Sequence, residues 1–165
     1  MAQQYFVLGI GGTGMRCIES LIHLCAMGMF DDTDIHLLAL DTDKDNGNFA
    51  RLKEVKEAYV KAKGTDASLR TALNETFFSA NINYYEFSPN YEVKSDFMSV
   101  FNYGDTKFNN PEQTAIADLV LTKNVETFNL RHGYRAQTHL GSMMMYHSIL
   151  EAARSNKNSE LKTYL

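Results

Sequence analysis

Tryptophan is absent from this 165-residue chain, and proline and cysteine occur only twice each. So few prolines argue against long Pro-rich tethers. Cys17 and Cys25 fall eight residues apart in one predicted helix. That spacing puts their Cα atoms roughly 12 Å apart, too far for a disulfide. We therefore expect two reduced thiols, as is usual in the cytoplasm.

The chain also lacks an excess of basic charge and a long apolar run. Its net charge is -4 and no Lys/Arg cluster appears, so the sequence predicts no nucleic-acid partner. No apolar run approaches the roughly 18 residues of a membrane-spanning helix. The apolar stretch 5–10 is short, meets glycine at once and lacks the basic flank of a signal peptide. We predict no membrane partner and a cytoplasmic protein.

The composition is that of an ordinary globular protein, with 44% hydrophobic and 22% charged residues. The length fits one domain spanning residues 1–165.

The first forty residues alternate between strand and helix patterns. Residues 5–10 form a continuous apolar run, as expected of a strand buried on both faces of a parallel sheet. After a glycine-rich turn, apolar residues recur at three- and four-residue steps and predict a helix that Gly28 ends: Met15, Ile18, Leu21, Ile22, Cys25 and Met29. Residues 35–40 predict the next buried strand. This unit predicts an α/β fold: a three-layer, Rossmann-like, mostly parallel sheet with helices on both faces.

Further elements are predicted downstream with the help of capping and breaking residues. They are helices over 44–62 (ended by Gly64) and 67–79, a strand over 82–87, a helix that Asn110 caps and Pro111 opens, a loop over 129–137, and a last helix from Thr138.

The glycine-rich turn is the first candidate binding site. Gly9, Gly11 and Gly14 match the G-x-G-x-x-G spacing directly after a strand and at the start of a helix. Backbone without Cβ can approach a phosphate closely, and the free N–H groups of a helix start favour an anion. The alternative is a tight strand-to-helix turn that binds no ligand.

Acidic residues follow the second strand. Asp41 lies 27 positions after Gly14, whereas a dinucleotide-binding unit carries its ribose-binding acid about 20 residues past the glycines. Asp41 and Asp43, which flank Thr42, could instead orient Mg²⁺ or its waters near phosphates. Asp43 alone could equally cap the next helix.

A second anion-binding loop could form at Gly133 and Arg135, because an arginine can clamp a phosphate. A solvated turn before the last helix is the alternative. The five histidines form no i, i+4 pair and the cysteines no C-x-x-C unit, so the sequence predicts no intrinsic metal site.

Four short segments carry a family resemblance. The run FVLGIGGTG at residues 6–14 and the run LALDTD at 38–43 resemble the opening of the tubulin/FtsZ superfamily of nucleotide-dependent polymer GTPases. They are most similar to its divergent bacterial tubulin-like branch, and FSANI at 78–82 and GYRA at 133–136 are similar to that branch too.

The resemblance implies that GTP, or another guanine or adenine nucleotide, lies across the carboxyl edge of the sheet. The phosphates would meet the residues of the glycine turn: Gly11, Gly12, Thr13 and Gly14. Asp41, Thr42 and Asp43 would lie near the phosphate and Mg²⁺ end. Arg16 stands where the division GTPases usually carry Asn, and would lie towards the base or ribose.

The chain departs from the superfamily in one respect. The second glycine signature, G-G-G-T-G-[ST], and the acidic loop that completes hydrolysis are absent from its 165 residues. We therefore expect a fragment that binds nucleotide, associates with itself or with a homologous subunit, and does not hydrolyse alone. The alternatives are an NAD(P)-binding Rossmann oxidoreductase domain and a protein-interaction domain that keeps the fold without a ligand.

Overall fold

The computed structural model describes residues 3–69, 78–89, 119, 129, 138–154 and 159–164. The chain forms two compact units, one made of Met1–Ser88 with Asn156–Leu165 and the other of Pro89–Ser155. In chain order the elements are β1 (Gln3–Ile10), α1 (Gly11–Ala26), β2 (Thr33–Leu40), α2 (Asn48–Leu69), β3 (Asn81–Phe87), α3 (Thr138–Arg154) and α4 (Ser159–Tyr164).

The first unit is built on a parallel sheet with strand order β1-β2-β3. Ile10 pairs with Leu40, and Leu40 with Phe87, so the three strands end in the same register. The turns that follow the strands therefore emerge at one edge of the sheet. This arrangement confirms the prediction of an α/β fold with a parallel sheet.

The hydrophobic core lies between one face of the sheet and the helices α1 and α2. Alternate residues of β2 point into it because successive side chains of a strand face opposite sides. The fully or almost fully buried members of this core are Met15, Ile18, Ile22 and Cys25 of α1, Ile35, Leu37 and Ala39 of β2, Leu52 and Tyr59 of α2, and Ala80. The helical periodicity seen in the sequence thus marks the buried side of α1 correctly up to Cys25, whereas Met29, the last member of the predicted stripe, lies beyond the end of α1 and is 62% exposed.

The opposite face of the sheet carries aromatic residues and α4. His36 stacks on Phe6 with the ring centroids 4.7 Å apart, and Tyr164 of α4 meets Phe6 edge-on at 5.8 Å. Leu161 of α4 is buried. Helices therefore contact both faces of this sheet, although α4 has only six residues.

The expectation that the first strand is buried on both faces is wrong. Tyr5, Phe6, Leu8 and Ile10 are 41–58% exposed, and only Gly9 of β1 is buried. The reason is tertiary. Among the described strands, β1 stands at one end of the order, and the short α4 packs mainly on β3 and β2.

The predicted bounds of the second helix are also wrong. α2 begins at Asn48 rather than at residue 44, and it continues through Gly64 to Leu69. Residues 67–69 therefore belong to α2 and not to a separate helix, and residues 78–80 are not helical. Glycine inside a helix costs only about 1 kcal/mol relative to alanine, which packing elsewhere along α2 offsets.

Other element boundaries agree with the sequence. Gly28 follows the last turn of α1 with φ of 79° and donates its N–H to the carbonyl of Cys25. β3 extends one residue beyond the predicted start, and α3 starts at Thr138 as predicted. The predicted helix from Pro111 and the predicted loop over 129–137 lie outside the described residues, apart from the helical Leu119 and from Asn129. Among the described helices, none is both long and apolar enough to cross a membrane.

Candidate functional site

The first and last glycines of the turn are required by packing. A Cβ on Gly9 would lie 2.9 Å from the carbonyl oxygen of Gly14, and a Cβ on Gly14 would lie 2.8 Å from the carbonyl carbon of Gly9. The backbone of β1 and the first turn of α1 therefore touch with no room for a side chain. These two glycines are explained without any ligand.

The two middle glycines are not explained by that contact. Gly11 adopts φ of 67°, and a Cβ there would meet nothing within 4 Å. Gly11 thus supplies a left-handed backbone conformation that a side chain would strain. A Cβ on Gly12 would lie 2.8 Å from the side-chain amide nitrogen of Asn48, which brings the start of α2 against the start of α1.

No side chain of the described residues caps the N-terminus of α1. Its N-cap residue is Ile10, whose side chain offers no acceptor, and the first turn contains no acidic residue. The first N–H groups of a helix have no partner inside the helix and carry a partial positive charge. This end of α1 therefore suits an external anion.

A relay of hydrogen bonds shapes the loop after β2. Asp41 is only 4% exposed. Its Oδ1 accepts the N–H of Asp43 at 3.2 Å, and its Oδ2 accepts the side-chain amide of Asn46 at 3.2 Å. Asp43 in turn accepts the N–H of Asp45 at 3.1 Å. Both carboxylate oxygens of Asp41 therefore serve to hold the loop.

Two buried hydroxyl groups at the same edge have no hydrogen-bond partner among the described residues. They are the Oγ1 of Thr42, a residue 3% exposed, and the Oγ of Ser88. Thr42 follows the end of β2 by two residues and Ser88 directly follows β3, so the strand register brings them to the edge where α1 begins. Buried polar atoms normally have a partner, so these two hydroxyl groups are free to bond a ligand or a water.

The remaining predicted site residues occupy different positions. Thr13 and Arg16 are exposed on α1, and Asp43 is half-buried at the strand edge. Gly133 and Arg135, the predicted second anion-binding loop, lie outside the described residues. Within the part of the chain that the structure describes, no three His, Cys, Asp or Glu residues gather as a metal site.

A cavity of about 490 Å³ lies at the other end of the sheet, beside the start of β3, and Lys63 and Asp34 are among its lining residues. Its charged groups are already engaged. The Lys63 ammonium donates to the carbonyls of Ser79 and Ala80 and to Asn81 Oδ1 at 2.6–3.0 Å, and Asp34 accepts from the Asn81 amide. Burial lowers the pKa of Lys63. These contacts tie the start of β3 to α2 and leave the opposite edge as the better site.

Sequence reasoning missed Asn48 and Ser88. The sequence offered one signal for Ser88, its position directly after the third strand. The strand register that brings Ser88 to this edge cannot be read from the sequence. The sequence offered no signal for Asn48, because we predicted that this residue lies inside the second helix and not at the start of that helix.

In comparisons with known proteins, no family model, no curated protein and no solved structure matches this chain.

Proposed function

We propose that this chain is a nucleotide-binding module of the tubulin-like class that takes a nucleoside triphosphate, GTP in the first instance, with Mg²⁺. The phosphates would lie at the carboxyl edge of the sheet, against Gly11 and Gly12. In an assembling protein the bound triphosphate would order the loops at this edge and so change contacts with a neighbouring subunit. The tubulin-like assignment depends on the sequence resemblance at residues 6–14 and 38–43.

One observation carries the binding proposal. At one edge of a parallel sheet lie the start of α1, which no described side chain caps, and the buried hydroxyl of Thr42, which has no partner in the described part of the chain. In open α/β sheets ligands bind in the crevice outside the carboxyl ends of the strands. A phosphate oxygen would accept from the N–H groups of α1 and from the Thr42 hydroxyl, satisfying donors that have no protein partner among the described residues.

The state of Asp41 favours a triphosphate over NAD. An NAD site needs a carboxylate at the tip of the second strand that is free to bind the ribose hydroxyls. Asp41 has the right position, but it is buried and both of its oxygens accept hydrogen bonds from its own loop.

The same loop fits a magnesium ion that arrives with the phosphates. Mg²⁺ keeps several waters and takes only one or two carboxylates when phosphates complete its shell. Asp43 is a half-buried carboxylate at the strand edge, and it is the residue best placed to contribute. The acidic charge at Asp41, Asp43 and Asp45 would repel a bare polyphosphate, so we expect binding to require the metal.

A thermal-shift panel tests the proposal. The chain is melted with GTP, ATP, NAD and FAD, each with and without Mg²⁺, and with tripolyphosphate as a probe for a mere anion site. A ligand at about 100 times its Kd stabilises the folded state by about 2.7 kcal/mol. We expect GTP with Mg²⁺ to raise the Tm. NAD alone raising the Tm would indicate an oxidoreductase domain, and no shift with any ligand would leave the fold without this function.

The variant Thr42→Val tests whether a ligand that raises the Tm binds at this edge of the sheet. The change removes a buried hydroxyl that has no partner among the described residues, so it should raise the free energy of unfolding of the ligand-free chain by about 1 kcal/mol. It should also weaken binding of GTP with Mg²⁺, as measured by calorimetry. Ser142→Ala on α3 is the matched control, since among the described residues that hydroxyl bonds only the Thr138 carbonyl of its own helix. Unchanged affinity in Thr42→Val would place the ligand elsewhere.

A further inference from the structure

Asn48 lies directly against the glycine turn. A Cβ at Gly12 would come within 2.8 Å of the Asn48 Nδ2 atom. Side chains on a helix tilt towards its N-terminus, so the space beside Gly12 opens towards the end of α1 at which an anion would lie. The amide of Asn48 fills that space, and its Nδ2 has no hydrogen-bond acceptor among the described residues.

The position of Asn48 is set by the loop that precedes it. Asn46 Oδ1 accepts the backbone N–H of Asn48 at 2.9 Å, while the Asn46 side-chain amide donates to the buried Asp41. Gly47 between them adopts φ of 76°. A continuous set of bonds therefore runs from the tip of β2 to the residue that opens α2.

The start of α2 also brings a second partial positive charge to the site. α2 begins after the carboxyl end of β2, and the Gly12–Asn48 contact shows that its first residue meets the first turn of α1. An anion at this edge would therefore lie near the first residues of two helices, in addition to the Thr42 hydroxyl, which is buried and has no partner among the described residues.

We propose that Asn48 is a ligand-binding residue of this site. Its side-chain amide donates a hydrogen bond to the phosphate that the turn at Gly11 and Gly12 binds, and the bonds from Asp41 through Asn46 position it. The proposal rests on the nucleotide-binding function above. It also gives Asp41 a positioning role instead of a direct contact with the ligand.

Calorimetric titration of the full chain with GTP and Mg²⁺ tests this role. Hydrogen bonds to charged groups are strong, so Asn48→Ala should raise the Kd about tenfold. Asn48→Asp should raise it further, because a carboxylate would face the phosphate. An acidic residue at the start of a helix is favourable in itself, so Asn48→Asp should keep the ligand-free Tm. A merely structural role would lower affinity and Tm together.

Two further variants test whether Asn48 contacts the phosphate and whether Asn46 acts only by positioning Asn48. Gly12→Ala displaces the Asn48 amide without altering α2 and should also weaken binding. Asn46→Ala should weaken binding only while Asn48 is present, so Asn46→Ala/Asn48→Ala should bind no more weakly than Asn48→Ala. Such non-additivity is the signature of residues that act through one another. Asn83→Asp, a charge change of the same kind at an exposed position within β3, is the control and should leave the Kd unchanged.

The outcomes separate this inference from the function on which it depends. If the wild-type chain binds GTP with Mg²⁺ and both Asn48 variants bind equally well, the role of Asn48 is refuted and the proposed function stands. If the wild-type chain binds no nucleotide, the proposed function fails and takes this inference with it.

Discussion

At the scale of single residues, the four glycines of the turn perform three different tasks. Gly9 and Gly14 let two backbones touch, Gly11 supplies a left-handed conformation, and Gly12 leaves room for the amide of Asn48. Only the last two bear on a ligand. The G-x-G-x-x-G spacing therefore combines a packing requirement with a binding one.

Substitution of Gly14 tests the packing requirement. In Gly14→Ala the new methyl group would meet the backbone of Gly9 at 2.8 Å, and backbone on both sides cannot move aside as a flexible side chain can. Overpacking of this kind destabilises by about 1–3 kcal/mol, and we expect the upper end of that range in chemical denaturation.

Gly64 provides the control for this substitution. It lies inside α2, and a Cβ added there would meet nothing within 4 Å, so Gly64→Ala should stabilise the chain by about 0.5–1 kcal/mol. Equal effects of the two substitutions would show that the Gly9–Gly14 contact does not constrain the fold.

At the scale of elements, α2 is attached to both of its neighbours by side-chain bonds. Arg51 donates to Glu19 of α1 at 2.7 Å, and this hydrogen bond lowers the pKa of Glu19. Tyr59 donates its hydroxyl to the carbonyl of Ala80 at 2.9 Å, at the start of β3. The exposed ion pair is expected to add little, whereas the buried tyrosine should matter more.

The alkaline stability of the chain reports on the contact between α2 and β3. Burial raises the pKa of Tyr59 to about 12 and that of Cys25 to about 11. A group with a raised pKa favours the folded state while it stays protonated, and that contribution is lost as pH rises. We expect the free energy of unfolding to fall between about pH 9, the ordinary pKa of a thiol, and pH 12.

Tyr59→Phe separates the two groups. Without the phenol, the decline above about pH 10 should become shallower, and about 1 kcal/mol should be lost at neutral pH with the hydrogen bond. Denaturant titrations across this pH range measure both effects. An identical pH profile for Tyr59→Phe would show that this phenol does not couple to folding.

At the scale of the whole molecule, β1 stands out as an exposed strand without charge. Its sequence QQYFVLGI has no charged residue and no proline, and Phe6, Leu8 and Ile10 are 48–58% exposed. Charged residues and prolines are the usual protection of an edge strand against pairing with other chains. An apolar strand of this kind favours association between molecules.

We expect the chain to associate with increasing concentration, and Leu8→Lys to reduce that association, in sedimentation velocity. Val60→Lys is a close control: Val60 is 47% exposed and Leu8 48% exposed, and both changes add the same charge. The two differ in location, since Val60 lies on α2. A wild-type chain that stays monomeric at every concentration, or equal effects of the two lysines, would contradict this role of β1.

Much of the fold follows from local sequence pattern. The apolar stripe of α1, the glycine that ends it and the apolar runs of β2 and β3 all predicted elements that the structure contains. The prediction that Gly64 ends the second helix was wrong, because a glycine ends a helix only where the chain turns left-handed. The prediction that residues 44–47 are helical was wrong, because side-chain bonds from Asp41, Asp43 and Asn46 compete with helix formation there.

Part of the candidate site could be predicted from the sequence and part could not. The glycine turn and the D-T-D tripeptide could be identified from spacing alone, because chain-local geometry dictates where glycine and acidic residues are needed. Asp41 bonds to residues only two and five positions away, Asp43 and Asn46. The approach of Asn48 to Gly12 and the position of Ser88 at the same edge depend instead on helix packing and strand register. The approach of Asn48 to Gly12 joins residues 36 positions apart, and no local pattern encodes it.

By itself the sequence determined the order of strands, turns and helices, since hydrophobic periodicity and backbone preference act over a few residues. Tertiary structure alone decided which strand is exposed and which polar atoms meet at the sheet edge, because burial and pairing are properties of neighbours distant in the chain.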